Sequence, residues 1–127
     1  MKKILIIDDD KTFLKVVRDA LTQDGYEVTQ AEDGEAGLEV ARKEAPDLIL
    51  LDIMMPQLGG MDFLKIVKEE EALKNIPILI VSNLSSMNRV NEGIKLGAHG
   101  YITKSDESLK TIVKSIESIV GKESISN

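Results

Sequence analysis

The stretch that decides the fold is PDLILLDIMMP, Pro46 to Pro56. A run of Leu and Ile, Leu48 to Leu51, leads into one carboxylate, Asp52, then into Ile53, Met54, Met55 and a proline. A near-continuous apolar run of this length is what a strand covered on both faces requires. An acid at the edge of such a strand is costly if buried unpaired and unremarkable if solvated. The place of Asp52 must therefore be explained by what else reaches the same end of the sheet.

Four further apolar runs flank it: ILII (4–7), YEVTQA (26–31), PILIV (77–81) and YIT (101–103). Segments with helical spacing lie between them. Phe13, Val17, Ala20 and Leu21 fall at i, i+4, i+7 and i+8, and DGY (24–26) ends that helix at a glycine. Phe63, Leu64 and Val67 make a second stripe. Leu109, Ile112, Val113, Ile116, Ile119 and Val120 make an arc that the core accounts for, with Lys110, Lys114 and Glu117 opposite. Strand and helix alternate five times, which predicts one α/β domain with a parallel sheet between helices and right-handed crossovers. The domain is expected over residues 1–121, with 122–127 as a frayed tail.

Composition narrows the function. Sixteen Lys and Arg against 22 Asp and Glu give a net charge of −6, and with no Trp and only two Phe and two Tyr this argues against direct nucleic-acid binding. The absence of Cys excludes disulfides and thiolate metal sites. The apolar run at 4–7 is too short for a signal peptide, and nothing approaches the roughly 20 apolar residues of a membrane span. A cytoplasmic protein is expected.

In doubly wound sheets, functional groups gather at the carboxyl ends of the strands. Those ends carry Asp8, Asp9 and Asp10, then Asp52, Ser82 and Lys104, while the second run offers only Glu32 and Asp33. Converging carboxylates repel one another, so a cation must offset them. Hard oxygen donors without His or Cys suit Mg²⁺. A carboxylate can also attack phosphorus to give an acyl phosphate, with ammonium and hydroxyl groups holding the phosphoryl oxygens. Each residue alone has a plainer reading: Asp10 as a helix N-cap, Ser82 as a hydroxyl at a helix start, Lys104 as a surface charge. His99 in GAHG reads as part of a helix-ending turn, and Met54-Met55 as packing. The weight lies in four polar groups at four strand ends.

ILIIDDD, PDLILLDIMMP, Gly59-Gly60, PILIVSN and GAHGYITK, with their spacing, resemble the receiver domain of two-component response regulators over residues 2 to about 121. The resemblance implies a flavodoxin-like doubly wound five-stranded parallel sheet of order 2-1-3-4-5 with five helices. It implies that Asp52 accepts the phosphoryl group, that Asp8 and Asp9 organise Mg²⁺, and that Met54 lends its backbone carbonyl to the metal. Ser82 matches the switch hydroxyl, Lys104 the lysine that pairs with the phosphoryl group, and Tyr101 the aromatic that repacks when the hydroxyl moves. On this reading Asp52 is held rigidly at the end of a buried strand, with its carboxylate in a wet, metal-bearing crevice. The implied partners are a sensor histidine kinase or phosphotransfer protein upstream and a protein target or output domain downstream, with no nucleic acid or membrane. The chain departs from the pattern at Gly59, commonly Asp, where a second glycine adds backbone freedom, at Asn83, commonly small, and at Ser105, commonly Pro.

Three other readings compete. An aspartyl-nucleophile hydrolase typically has a second acid two residues after the nucleophile, where this chain has Met54. A flavin or nucleotide carrier would want a Gly- or hydroxyl-rich loop after the first strand, where three acids stand. A degenerate receiver that serves only as a protein-interaction module is disfavoured by the complete Asp, Ser and Lys set. Ser105 also precedes Asp106, Glu107 and Ser108, which predicts an N-cap for the last helix and a trans Lys104–Ser105 bond.

Overall fold

Among the residues described by the computed structural model (2–53, 59–82, 87–104 and 109–121), five strands alternate with five helices. They are β1 (Lys3–Ile7), α1 (Lys11–Gln23), β2 (Glu27–Ala31), α2 (Gly34–Glu44), β3 (Leu48–Asp52), α3 (Gly60–Glu69), β4 (Ile78–Ser82), α4 (Met87–Lys95), β5 (Gly100–Thr103) and α5 (Leu109–Val120). All neighbouring strands pair parallel, in the order β2-β1-β3-β4-β5. This is the flavodoxin-like doubly wound sheet that the five alternations and the resemblance imply.

The alternation of side chains along a strand explains the LILL run. Ile49 and Leu51, with Leu5, Ile7, Ile78 and Ile80, face a core closed by Leu38, Phe63, Leu64 and Val90. Leu48 and Leu50, with Ile4, Ile6, Leu79 and Val81, face the other core, closed by Leu14, Val17, Leu21, Ile112 and Ile116. Both faces are covered, so neither parity tolerates a polar side chain until the strand ends.

Local chemistry sets the helix ends. The Asp10 carboxylate caps α1 by accepting the Thr12 and Phe13 amides, each at 3.1 Å, and Asp33 caps α2 by accepting Ala36 N–H at 2.9 Å. Gly25 at φ 94° and Gly97 at φ 111° end α1 and α4, as the glycines of DGY and GAHG predict.

Two expectations need adjusting. In the first turn of α1 the fully buried residue is Leu14, while Phe13 is only half-buried. On α5 only Ile112 and Ile116 are buried, so the core covers the arc in part: Leu109 and Val113 line an open groove against Ala20 and Gln23 of α1. Val16, Ile94 and Tyr101 are exposed apolar side chains elsewhere on the surface. Ser105, with its expected cap and trans bond, lies outside the described residues, as do Met54, Asn83 and Leu84.

Candidate functional site at the carboxyl edge of the sheet

Three strand ends deliver the site. Pairing of Ile7 with Leu51 puts Asp8, the residue after β1, beside Asp52, the last residue of β3. Lys104 follows β5 and reaches back across β4. One carboxylate oxygen from each of Asp8, Asp9 and Asp52 lies within 4.8 Å of the others. Asp8 is 1% exposed and Asp52 6%, while Asp9 faces solvent. The crevice is therefore drier at Asp52 than expected, with both Asp8 and Asp52 withdrawn from solvent.

Lys104 is the cation of the cluster. Its Nζ lies 2.7 Å from Asp8 Oδ2 and 3.9 Å from Asp52 Oδ2, with the side chain 14% exposed. Asp8 Oδ1 accepts the Asp10 amide at 2.9 Å. The other oxygen of this buried carboxylate, Oδ2, faces the Lys104 ammonium. Burial pushes the Asp8 carboxyl above its ordinary value, against the pull of Lys104 and the Asp10 amide, and the Asp9 charge adds to the rise. Three carboxylates against one ammonium leave negative charge in excess. Together with an all-oxygen donor set, this fits a hard divalent cation.

Two residues that the sequence reading did not assign to the site touch its members. The Phe13 ring sits under the Lys104 ammonium, with Nζ 4.6 Å from the ring centroid. Gly60 opens α3 directly against the Asp52 backbone: a Cβ there would stand 2.6 Å from Asp52 O and 2.5 Å from Ile53 Cα. No sequence signal marks Phe13, whose spacing reads as core. Gly60 could have been read from its glycine as a place of close backbone approach.

The remaining expected residues are placed as follows. Ser82 ends β4, in register with Thr103, one position beyond the partner of Asp52. Tyr101 lies on the edge strand β5 and is 48% exposed. His99 is exposed in the turn before β5, where its amide donates to Ile78 O at 2.8 Å. No helix among the described residues is long and apolar enough to cross a membrane.

The 2-1-3-4-5 sheet and the acid-and-lysine crevice at its carboxyl edge define a doubly wound domain of the receiver type. The chain belongs to the response regulator receiver domain family, whose model matches residues 4–117, and so to the two-component signalling proteins. It is 34% identical over 128 residues to the probable transcriptional regulator ycf27 of Porphyridium aerugineum, a match covering 99% of this chain and 52% of that protein. It is 32% identical to the polar-differentiation response regulator DivK of Brucella ovis, covering 94% of this chain and 97% of that one. The chain thus spans about half of the first relative and nearly all of the second. Among solved structures, chemotaxis protein CheY4 of Vibrio cholerae superposes with a TM-score of 0.86 at 33% identity, over 94% of this chain and 98% of that one.

Proposed function

We propose that residues 1–121 form a cytoplasmic, phosphorylation-controlled switch in which Asp52 accepts a phosphoryl group in the presence of Mg²⁺, with 122–127 as a tail outside the domain. The observation that carries this reading is the convergence of Asp8, Asp9, Asp52 and Lys104 at one strand end of a receiver fold. The donor is a histidine kinase, a phosphotransfer protein or a small phosphodonor. A carboxylate oxygen of Asp52 attacks phosphorus and the new O–P bond forms. The bond from phosphorus to the donor nitrogen or oxygen breaks, and the donor leaves with the electron pair. A departing imidazole takes its proton from solvent.

Asp8, Asp9 and Asp52, with the Met54 backbone carbonyl, would hold the metal. The metal supplies charge neutralisation for the phosphoryl oxygens. Lys104 pairs with one of those oxygens and Ser82 with another. Tyr101 repacks as the Ser82 hydroxyl moves, which changes the surface offered to a protein target or output domain. The chain is regulatory: it catalyses its own phosphorylation and a slow loss of the group, since Met54 and Leu84 cannot orient attacking water by hydrogen bonding.

The test is incubation with acetyl phosphate and Mg²⁺ followed by intact mass. One phosphoryl group is expected on the parent chain and none on Asp52→Asn, because an amide is no nucleophile. Equal labelling of the two proteins would move the acceptor elsewhere.

A further inference from the structure

Among the described residues, Lys104 touches three groups: Asp8 at 2.7 Å, Asp52 at 3.9 Å and the face of Phe13 at 4.6 Å. The first two are carboxylates that the proposed function gives to other work, Asp8 to a divalent cation and Asp52 to the phosphoryl group. A lysine held only by these acids would lose its nearest partner when a cation settles on Asp8. Its long stem has four rotatable bonds and no geometric preference of its own.

From this contact we infer that Phe13 is the positioning residue for Lys104: its ring face keeps the ammonium inside the crevice when Asp8 is engaged, and so aims it at the phosphoryl oxygens on Asp52. This rests on the proposed function for the role of Lys104, but the ring contact belongs to the protein as it stands.

Three observations support the assignment. The Asp10 cap fixes the first turn of α1, and one of the two amides it holds is that of Phe13 itself, at 3.1 Å. The ring is thereby tied to the same short segment that carries Asp8 and Asp9. Phe13 is also only half-buried, while its neighbour Leu14 is 1% exposed and fills the core position on that turn. Phe13 packs only against the rim of that core, where an aliphatic side chain would serve as well, since Leu14, Val17 and Leu21 already anchor the helix. Finally, Lys104 is 14% exposed, a setting dry enough for a ring quadrupole to matter to a cation. An aliphatic side chain of similar bulk could cover the Lys104 stem, but it would offer the ammonium nothing.

The test compares Phe13→Leu with Phe13→Tyr in the full chain. Phosphoryl uptake by Asp52 from acetyl phosphate at saturating Mg²⁺ should slow about three- to tenfold in Phe13→Leu and stay within about twofold in Phe13→Tyr, which keeps the ring face. Uptake in Phe13→Leu as fast as in the parent would overturn the inference. A second readout does not need the reaction. The ε-methylene protons of Lys104 should show an upfield ring-current displacement by NMR in metal-free protein. That displacement should persist at saturating Mg²⁺ and vanish in Phe13→Leu. Its absence from the parent, or its loss on adding Mg²⁺, would equally overturn the inference. If the parent takes up no phosphoryl group, the proposed function fails, and the ring-current measurement still decides whether Phe13 holds the ammonium. Should Phe13→Leu not fold, para-fluoro and pentafluoro phenylalanine at position 13 give a graded loss of the ring quadrupole in the same shape, and equal uptake rates across that series would overturn the inference.

Discussion

The Lys104 ammonium is paired with Asp8, 2.7 Å from its Oδ2, rather than with Asp52, whose Oδ2 stands 3.9 Å away. The lysine thus neutralises the more deeply buried acid and leaves Asp52 with the weaker of the two contacts. Under the proposed function, a divalent cation drawn to the acidic cluster would compete with Lys104 for Asp8. Cation binding and release of the lysine toward Asp52 are therefore one equilibrium, and it can be probed from either side.

Removing the ammonium should expose how much of the metal-free stability rests on it. Lys104→Met leaves Asp8 buried without its cation, and loss of one partner from a buried pair costs about 3–5 kcal/mol. The partial exposure of Lys104 and the solvated Asp9 beside it reduce the expected loss to about 2–3 kcal/mol. Urea unfolding in chelator measures it. Mg²⁺ should then raise the unfolding midpoint of the variant more than that of the parent, since nothing competes for Asp8. Equal gains in the two proteins would show that the cation and Lys104 do not share that carboxylate.

The pH dependence of metal-free stability has a definite sign at Asp8. Burial raises its carboxyl above the ordinary 3.8, so across the window from 3.8 up to the raised value the folded chain keeps a proton that the unfolded chain has released. The folded state binds more protons, and stability falls as pH rises through that window. Glu70 acts the other way: its hydrogen bonds from Arg42 hold it below 4.5, and the stability it contributes is lost as pH falls through its depressed value. Asp8→Asn keeps the Glu70 contribution and removes that of Asp8. The stability of the variant relative to the parent should therefore rise with pH. Parallel curves by urea unfolding at several pH values would rule this out.

How far the sequence spoke for itself follows from the range of each interaction. The strands were legible because both sheet faces are covered, so Leu48 to Leu51 and Ile4 to Ile7 carry no polar interruption. The convergence of Asp8, Asp52 and Lys104 was legible as a consequence of strand polarity and order. Which acid the lysine chooses was not, because it depends on distances between β1, β3 and β5 that no local pattern encodes. Phe13 was read as core because helical spacing has a tolerance of one position, and Leu14 takes the buried place. Gly60 was read with Gly59 as added loop freedom, but it begins α3 and is needed for contact with the Asp52 carbonyl.

Gly60 and Gly93 offer a direct comparison of two close approaches. A Cβ at 60 would meet backbone atoms, Asp52 O at 2.6 Å and Ile53 Cα at 2.5 Å, which cannot yield without moving the acceptor strand. A Cβ at 93 would meet the tip of the Ile80 side chain at 2.4 Å, which can change rotamer. Overpacking costs about 1–3 kcal/mol. Gly60→Ala should lie at the upper end of that range and Gly93→Ala at the lower, partly offset by better helix propensity. Gly60→Ala should also slow phosphoryl uptake by Asp52 at temperatures where the protein is fully folded. Thermal unfolding and the acetyl phosphate assay together check both, and a Gly93→Ala loss as large as that of Gly60→Ala would contradict the distinction.

The two tyrosines provide a built-in reporter for the proposed switch. With no Trp in the chain, near-ultraviolet emission comes from Tyr26 and Tyr101 alone. Tyr26 is 2% exposed, with its hydroxyl donating to Gly121 O at 3.1 Å, whereas Tyr101 is 48% exposed. A collisional quencher such as iodide therefore reads Tyr101 almost alone. Tyr101 pairs in register with Ile80, two residues before Ser82 on β4, and under the proposed switch the ring would follow the Ser82 hydroxyl as it moves toward a phosphoryl group on Asp52. If the ring follows inward, quenching should fall when acetyl phosphate and Mg²⁺ are added, and recover as the group is lost. Asp52→Asn should show no change. Ser82→Ala should still take up the phosphoryl group by intact mass, yet its quenching should not change on phosphorylation, because no hydroxyl moves to couple the two sites. Constant quenching in a parent sample whose mass shows full phosphorylation would remove Tyr101 from the switch.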